Sequence, residues 1–199
     1  MWKNNRSDRM GKVIVDIAMS LDGFIAGTNV SPQLPMGDDG FRLHDWIFDK
    51  KTDIDANMIK EVMETSGVVI VGRRTYDVAI DDAWGGESPF AMPALVVSHT
   101  KAEKIVDGFT FITGGIEETL KQARAIAGNK NIWIMGGANI IRQFIKAGLV
   151  DELEIHLSHI LLGKGTRLFD DTLANVIELQ RIRSIGSDSV THIRFRILK

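Results

Sequence analysis

Three apolar, β-branched runs in this chain stop abruptly at small or polar residues. Residues 68–71 run into Gly72-Arg73-Arg74-Thr75, residues 94–97 into Ser98-His99-Thr100-Lys101, and residues 131–135 into Gly136-Gly137-Ala138-Asn139-Ile140. Strand-like runs that alternate with helical patterns at this spacing call for right-handed crossovers, which build a mostly parallel sheet with helices on both faces. In such a sheet the carboxyl ends of the strands share one edge, so the three terminations converge there.

The rest of the chain fits around that frame. Residues 12–19 (KVIVDIAM) read as a buried strand with Asp16 as its anomaly, and 20–40 as a long glycine-punctuated loop of the kind that carries function. Residues 41–48 and 53–65 read as helices, the second starting at an Asp cap and carrying Ile54, Met58, Ile59, Val62 and Met63 at helical spacing. Helices over 73–80, 116–127 and 138–147 and a strand over 109–112 complete the alternating part. From Leu149 onward the pattern becomes strands without helices, with Ile193, Phe195 and Ile197 alternating against His192, Arg194 and Arg196. The expected class is a three-layer α/β fold, a mostly parallel central sheet with antiparallel C-terminal strands. Residues 1–10 are expected to be a flexible extension and 11–199 a single domain.

Charge and composition exclude several functions. With 44% hydrophobic and 25% charged residues the composition is that of a soluble globular protein. A net charge of −2 gives no basic field to hold nucleic acid or an anionic membrane, so any phosphate recognition is local. The chain has no cysteine, and its start lacks the apolar core of a secretory signal; a cytoplasmic protein is expected. The five histidines show no metal-binding helical spacing, and His156 and His159 fall on opposite faces of a strand, so no metal is expected.

Glycines at strand ends let phosphate oxygens approach the backbone, and the amides of a following helix donate to them. Gly136-Gly137 before a helix suits this, though such a pair also serves a tight turn. Arg73 and Arg74 offer cations where a solvated helix face is the plainer reading, and Ser98, His99, Thr100 and Lys101 offer hydroxyls and charge where a surface loop is the plainer one. Together they favour a dinucleotide. Neither a P-loop nor a G-x-G-x-x-G fingerprint occurs, because Gly163-Lys164-Gly165-Thr166 has the wrong order, and no G-x-S-x-G turn is present.

The stretches SLDGFIAG, GRRTYD and GGANIIRQFIKAGLVDEL, with LLGKGTRLF after them, resemble the dihydrofolate reductase superfamily. More closely they resemble the reductase domain of bacterial riboflavin biosynthesis and its stand-alone relatives. The resemblance implies a dihydrofolate reductase-like fold that binds NADPH. It puts Ala18, Ile25 and Gly27 beside the nicotinamide, and Gly72, Arg73, Arg74 and Thr75 at the pyrophosphate and ribose phosphate. Ser98, His99 and Thr100 fall at the adenosine end, with Gly136, Gly137, Ala138, Asn139 and Ile140 on the other side of the pyrophosphate.

The implied activity is hydride transfer from NADPH to a C=N or C=O bond of a small heterocyclic or phosphoribosyl-type substrate; a ligand-sensing protein without turnover is the alternative. Where riboflavin-pathway reductases carry a lysine in the first strand, this chain has Asp16. Asp45 or Asp16 is the candidate proton donor, Asp16 equally explained by a structural ion pair. Phe24 and Trp46 could stack on a flat substrate or fill the core, and Asp22 could contact substrate or stabilise its turn. The apolar faces of the C-terminal strands favour a homodimer.

Overall fold

A computed structural model of the chain describes residues 10–100, 105–171 and 175–199. All but the last residue of the expected extension at 1–10 lies outside the described residues, and so does Lys101. In chain order the elements are β1 (Val13–Ser20), β2 (Phe24–Ala26), a 3-10 turn (Gly40–His44), α1 (Asp45–Phe48), α2 (Asp53–Thr65), β3 (Ser66–Gly72), α3 (Arg73–Ala79), β4 (Ala94–Val97) and β5 (Phe109–Ile112). There follow α4 (Gly115–Ala127), β6 (Asn131–Gly136), α5 (Ala138–Lys146), β7 (Glu152–Ser158), β8 (Thr166–Arg167), β9 (Leu179–Gly186) and β10 (Val190–Ile197).

One eight-stranded sheet runs in the order β5-β4-β3-β6-β1-β7-β10-β9. The pairs from β5 through β7 are parallel, while β10 pairs antiparallel with both β7 and β9. This is the expected mostly parallel sheet with an antiparallel C-terminal edge. Side-chain alternation divides its two faces. On one, Val13, Val15, Ile132, Ile134, Leu153 and Ile155 pack beneath Leu120 of α4 and Ile141 and Phe144 of α5. Burying each of these larger side chains contributes about 1.5–3 kcal/mol.

The opposite face is split. Over β3, β4 and β6 it is apolar, with Val69, Val71, Val96 and Trp133 packed against Tyr76 of α3. Over β1, β7 and β10 it is polar: Asp16 is in register with Glu154, and His156 with His192. Glu152, Glu154, His156 and His192 are nevertheless buried. The helix covering them is α2, and it docks through charge. Arg183 and Arg194 each bridge Glu61 of α2 to the sheet carboxylates Glu152 and Glu154.

The expected apolar seam of α2 holds in part, since Val62 and Met63 pack against the apolar cluster, but the charged docking was not expected. Asp55 is its only fully buried residue, and Ile54 is 37% exposed. The cap differs as well: Thr52 caps the helix in a reciprocal box with Asp55, because its hydroxyl accepts the Asp55 amide while the Asp55 carboxylate accepts the Thr52 amide. The single helix expected over 41–48 is a 3-10 turn followed by one α-turn. Within the long loop, β2 pairs with β8, so the stretch is not free of structure.

Candidate active site

The three strand terminations are neighbours. Because β4, β3 and β6 adjoin in the sheet and run parallel, Gly72, Ser98 and Gly136 come to one edge. There α3 begins at Arg73 directly after Gly72, and α5 begins at Ala138 after Gly137. Gly137 caps α5 without a side chain, and the first intrahelical bond is donated by Ile141 to the Gly137 carbonyl. The amides of Ala138, Asn139 and Ile140 therefore have no intrahelical acceptor. The Gly136–Gly137 peptide is cis.

The approach of backbones is close here. A Cβ on Gly72 would stand 2.9 Å from Ile140 Cγ1, and one on Gly137 3.3 Å from Thr75 Oγ1. Arg73 spans the edge: its Nε donates to Asp77, a terminal nitrogen reaches the Ser98 and Thr100 hydroxyls, and the guanidinium lies over the Phe111 ring. Arg74, His99 and Asn139 are exposed, while Ser98, Ala138 and Ile140 are buried.

The residues expected on the substrate side separate into two groups. Ala18 and Ile25 are buried, and Gly27 packs so tightly on the Asp38 backbone that a Cβ would meet its carbonyl oxygen at 1.9 Å. Asp22 accepts hydrogen bonds from the Ser20 hydroxyl at 2.6 Å and from the amides of Leu162 and Gly163 at 3.0 and 2.7 Å. Those bonds outweigh burial and hold its carboxyl at about 2. Phe24 lies under the Arg167 guanidinium, 4.4 Å from the ring centroid. Asp22 and Phe24 thus tie the loop after β1 to the segment leading into β8, apart from Trp46.

Trp46 is 3% exposed and packs on His156 in a tilted arrangement, with ring centroids 4.5 Å apart. It also lines a cavity of about 180 Å³ with Arg42, Asp45, Lys50, Ser158 and Ser189. The Trp46 indole nitrogen and the Ser189 hydroxyl are buried in this wall without a protein partner. Asp45 faces the cavity and pairs with Lys50 at 3.6 Å. His44 beside it is held down to about 4 by burial and by His156, with Asp45 opposing. Asp16 is elsewhere, in the polar row of the sheet, where its carboxylate meets His156 Nε2 at 3.0 Å. Sequence reasoning missed His156, His192 and Asp55, which join it there.

A family model for the RibD C-terminal domain matches residues 11–191. The chain belongs to this family. Two Bacillus subtilis proteins are similar to it over most of their length: YyaP is 28% identical over 94% of this chain and 95% of its own, and YwjB is 29% identical over 85% and 88%. Both are called uncharacterized. Among solved structures, a Shewanella sp. PV-4 protein whose name refers to riboflavin biosynthesis shares 26% identity at a TM-score of 0.76, over 94% of this chain and 99% of its own. Two others share the fold at lower identity. A Thermotoga maritima diaminohydroxyphosphoribosylaminopyrimidine deaminase/5-amino-6-(5-phosphoribosylamino)uracil reductase has 15% identity and a TM-score of 0.63, with 96% of this chain covering 58% of that one. Enterococcus faecalis dihydrofolate reductase, complexed with NADP(H), has 14% and 0.60 over 96% and 99%. This RibD C-terminal domain family member therefore has the dihydrofolate reductase-like fold.

Proposed function

We propose that this chain is an NADPH-dependent reductase acting on a C=N or C=O bond of a small heterocyclic or phosphoribosyl-type substrate. The observation that carries the reading is the convergence of Gly72, Ser98 and Gly136 on one sheet edge, beside the uncapped start of α5. The residues present fit the cofactor: free amides and the α5 dipole suit a pyrophosphate, the bare glycines leave room for it, and Arg73 and Arg74 suit the ribose phosphate. When bound, NADPH supplies the hydride. Arg73, Thr75, Ser98, His99, Thr100 and the residues 136–140 hold and orient it, with Ala18 and Ile25 walling the reactive end.

The cavity beside Trp46, which Asp16 does not line, has Arg42 and Lys50 at its wall and suits an anionic part of the substrate away from the reacting bond. Asp16 is our assignment for the proton donor, since β1 adjoins β6 and its Gly136-Gly137 terminus; Asp45 serves the substrate cavity. Outer strand β9 leaves Leu179, Ile182 and Ile185 exposed, which supports a homodimer formed through that edge.

The test is NADPH oxidation with 7,8-dihydrofolate and with 5-amino-6-(5-phosphoribosylamino)uracil as probes, alongside cofactor titration. Tight cofactor binding with no oxidation by either probe would favour the ligand-sensing alternative. Absence of cofactor binding would overturn the reading.

A further inference from the structure

Three buried side chains and the partly exposed Asp16, from four elements, form one continuous line of hydrogen bonds. Asp55 of α2 meets His192 Nε2 of β10 at 2.8 Å, His192 Nδ1 meets His156 Nδ1 of β7 at 2.7 Å, and His156 Nε2 meets Asp16 of β1 at 3.0 Å. Every ring nitrogen of the two histidines is committed. Proton counting then fixes the content of the line. Two imidazole nitrogens 2.7 Å apart need one proton between them, since two bare lone pairs repel and two N–H groups collide. Each Nε2 facing a carboxylate oxygen needs one as well. The line holds three protons, one more than two neutral imidazoles and two carboxylates carry.

The line has a single opening. The Asp55 and His192 side chains are 0% exposed, His156 is 5% exposed and Asp16 is 13% exposed. Other charges around it are already paired: Glu154 of β7 with Arg183 of β9, and Glu61 of α2 and Glu152 of β7 with Arg194 of β10. His44 is near enough to His156 to be pushed down by it, with Asp45 opposing, and Trp46 packs on the His156 ring. At the closed end, burial pushes His192 down against the pull of Asp55. Asp55 stays below the usual carboxylate range because bonds from the Thr52 amide and His192 outweigh burial. Both effects disfavour the extra proton at the closed end of the line.

We propose that Asp55, His192 and His156 form a buried proton store whose outlet is Asp16, and that it supplies the proton of the reduction. The inference rests on the reductase reading for its use. Reduction of C=N or C=O takes up one hydride and one proton. The proton shared between His156 Nε2 and Asp16 passes by way of the Asp16 carboxyl to the substrate nitrogen or oxygen, which leaves two carboxylates and two neutral imidazoles. The line then holds two protons and has one contact bare, which a proton from solvent refills through the same opening. Asp16 is the group that touches substrate; His156, His192 and Asp55 are positioning residues that keep it charged with a proton.

Two measurements on the full chain test this separately from the reductase reading. With ¹⁵N-histidine labelling of the folded chain, three of the four ring nitrogens of His156 and His192, one of them at the Nδ1 pair, are expected to carry a proton, against two for a pair of neutral imidazoles, and a count of two would overturn the store. His192→Gln removes the signal of the Nδ1 pair, and Asp16→Asn slows its exchange with water about tenfold or more. Two unprotonated Nδ1 atoms in the folded wild-type chain would overturn the store. In single-turnover NADPH oxidation with whichever probe is accepted, Asp55→Asn, which keeps an acceptor for the Thr52 amide, and His156→Gln are expected to lose about a hundredfold at alkaline pH. The loss should shrink toward acid, with cofactor affinity and KM unchanged. Folded variants with a wild-type pH profile would also overturn it, whereas a KM-only effect would reduce the line to a structural element and reject delivery. If neither probe is turned over, the reductase reading fails and the nitrogen spectra alone decide the store.

Discussion

Replacing Gly137 by valine separates the cofactor reading of the glycine pair from the turn reading. Gly137 has φ −81°, a value any residue adopts, and a Cβ there would meet only the Thr75 hydroxyl, at 3.3 Å. The backbone therefore tolerates the substitution after a small shift of Thr75. Gly72 is the contrasting control, because its Cβ would press on buried Ile140 at 2.9 Å. Overpacking of that kind costs about 1–3 kcal/mol of stability. In Gly137→Val the two added methyl groups would instead stand before the amides of Ala138 and Asn139. Losing one hydrogen bond to a charged phosphate costs about 1.5–3 kcal/mol, which weakens binding by roughly 10- to 150-fold. Circular dichroism and thermal melting establish that Gly137→Val is folded, and fluorescence titration with NADPH gives its dissociation constant. A folded variant that binds within twofold of wild type would refute the reasoning and leave the glycines as a turn.

NADPH should bind at least about tenfold more tightly than NADH, through charge-assisted bonds to the 2′-phosphate from Arg73 or Arg74; equal dissociation constants at moderate salt would contradict this. Asp22 is held at about 2, so its contribution to stability is complete above about pH 4 and is lost as pH falls toward 2. Urea unfolding of Asp22→Asn should show a flatter acid limb than wild type over that window, and an identical limb would rule out the assignment. The proposed homodimer should elute with twice the 22.1 kDa chain mass in light scattering, and Leu179→Asp with Ile182→Asp should return it to one chain. A wild-type mass of one chain at micromolar concentration would reject it.

The order of strands and helices was legible because β-branched runs ending in glycine, serine or Gly-Gly carry both a period and a stop signal. Gly72, Ser98 and Gly136 could be brought together from topology alone, since parallel strands align their ends. The position of α2 could not. Ile54, Met58, Ile59, Val62 and Met63 repeat as an apolar seam, and Val62 and Met63 do reach the apolar cluster, but Asp55 and Glu61 dock on the polar half-sheet, and no apolar period announces that contact. His156 and His192 were visible only as polar members of alternating strands. They meet because β7 and β10 pair antiparallel in a register that puts them opposite each other, and Asp55 joins them from 137 residues away. Trp46 was singled out, but one α-turn has too few residues for periodicity to say which way it faces.

The charged docking of α2 has a mechanical consequence. An apolar helix face can slide a fraction of a turn over a sheet with little penalty, since one methyl group substitutes for another. The contacts of α2 are directional: Glu61 is shared by two guanidinium groups, and Asp55 ends a line of hydrogen bonds. Moving the helix by one residue, about 1.5 Å along its axis, breaks all of them together. The helix is therefore seated as in a detent, with discrete stops in place of a smooth track, and any displacement of it must strip Asp55 from His192 and Glu61 from both arginines in the same step.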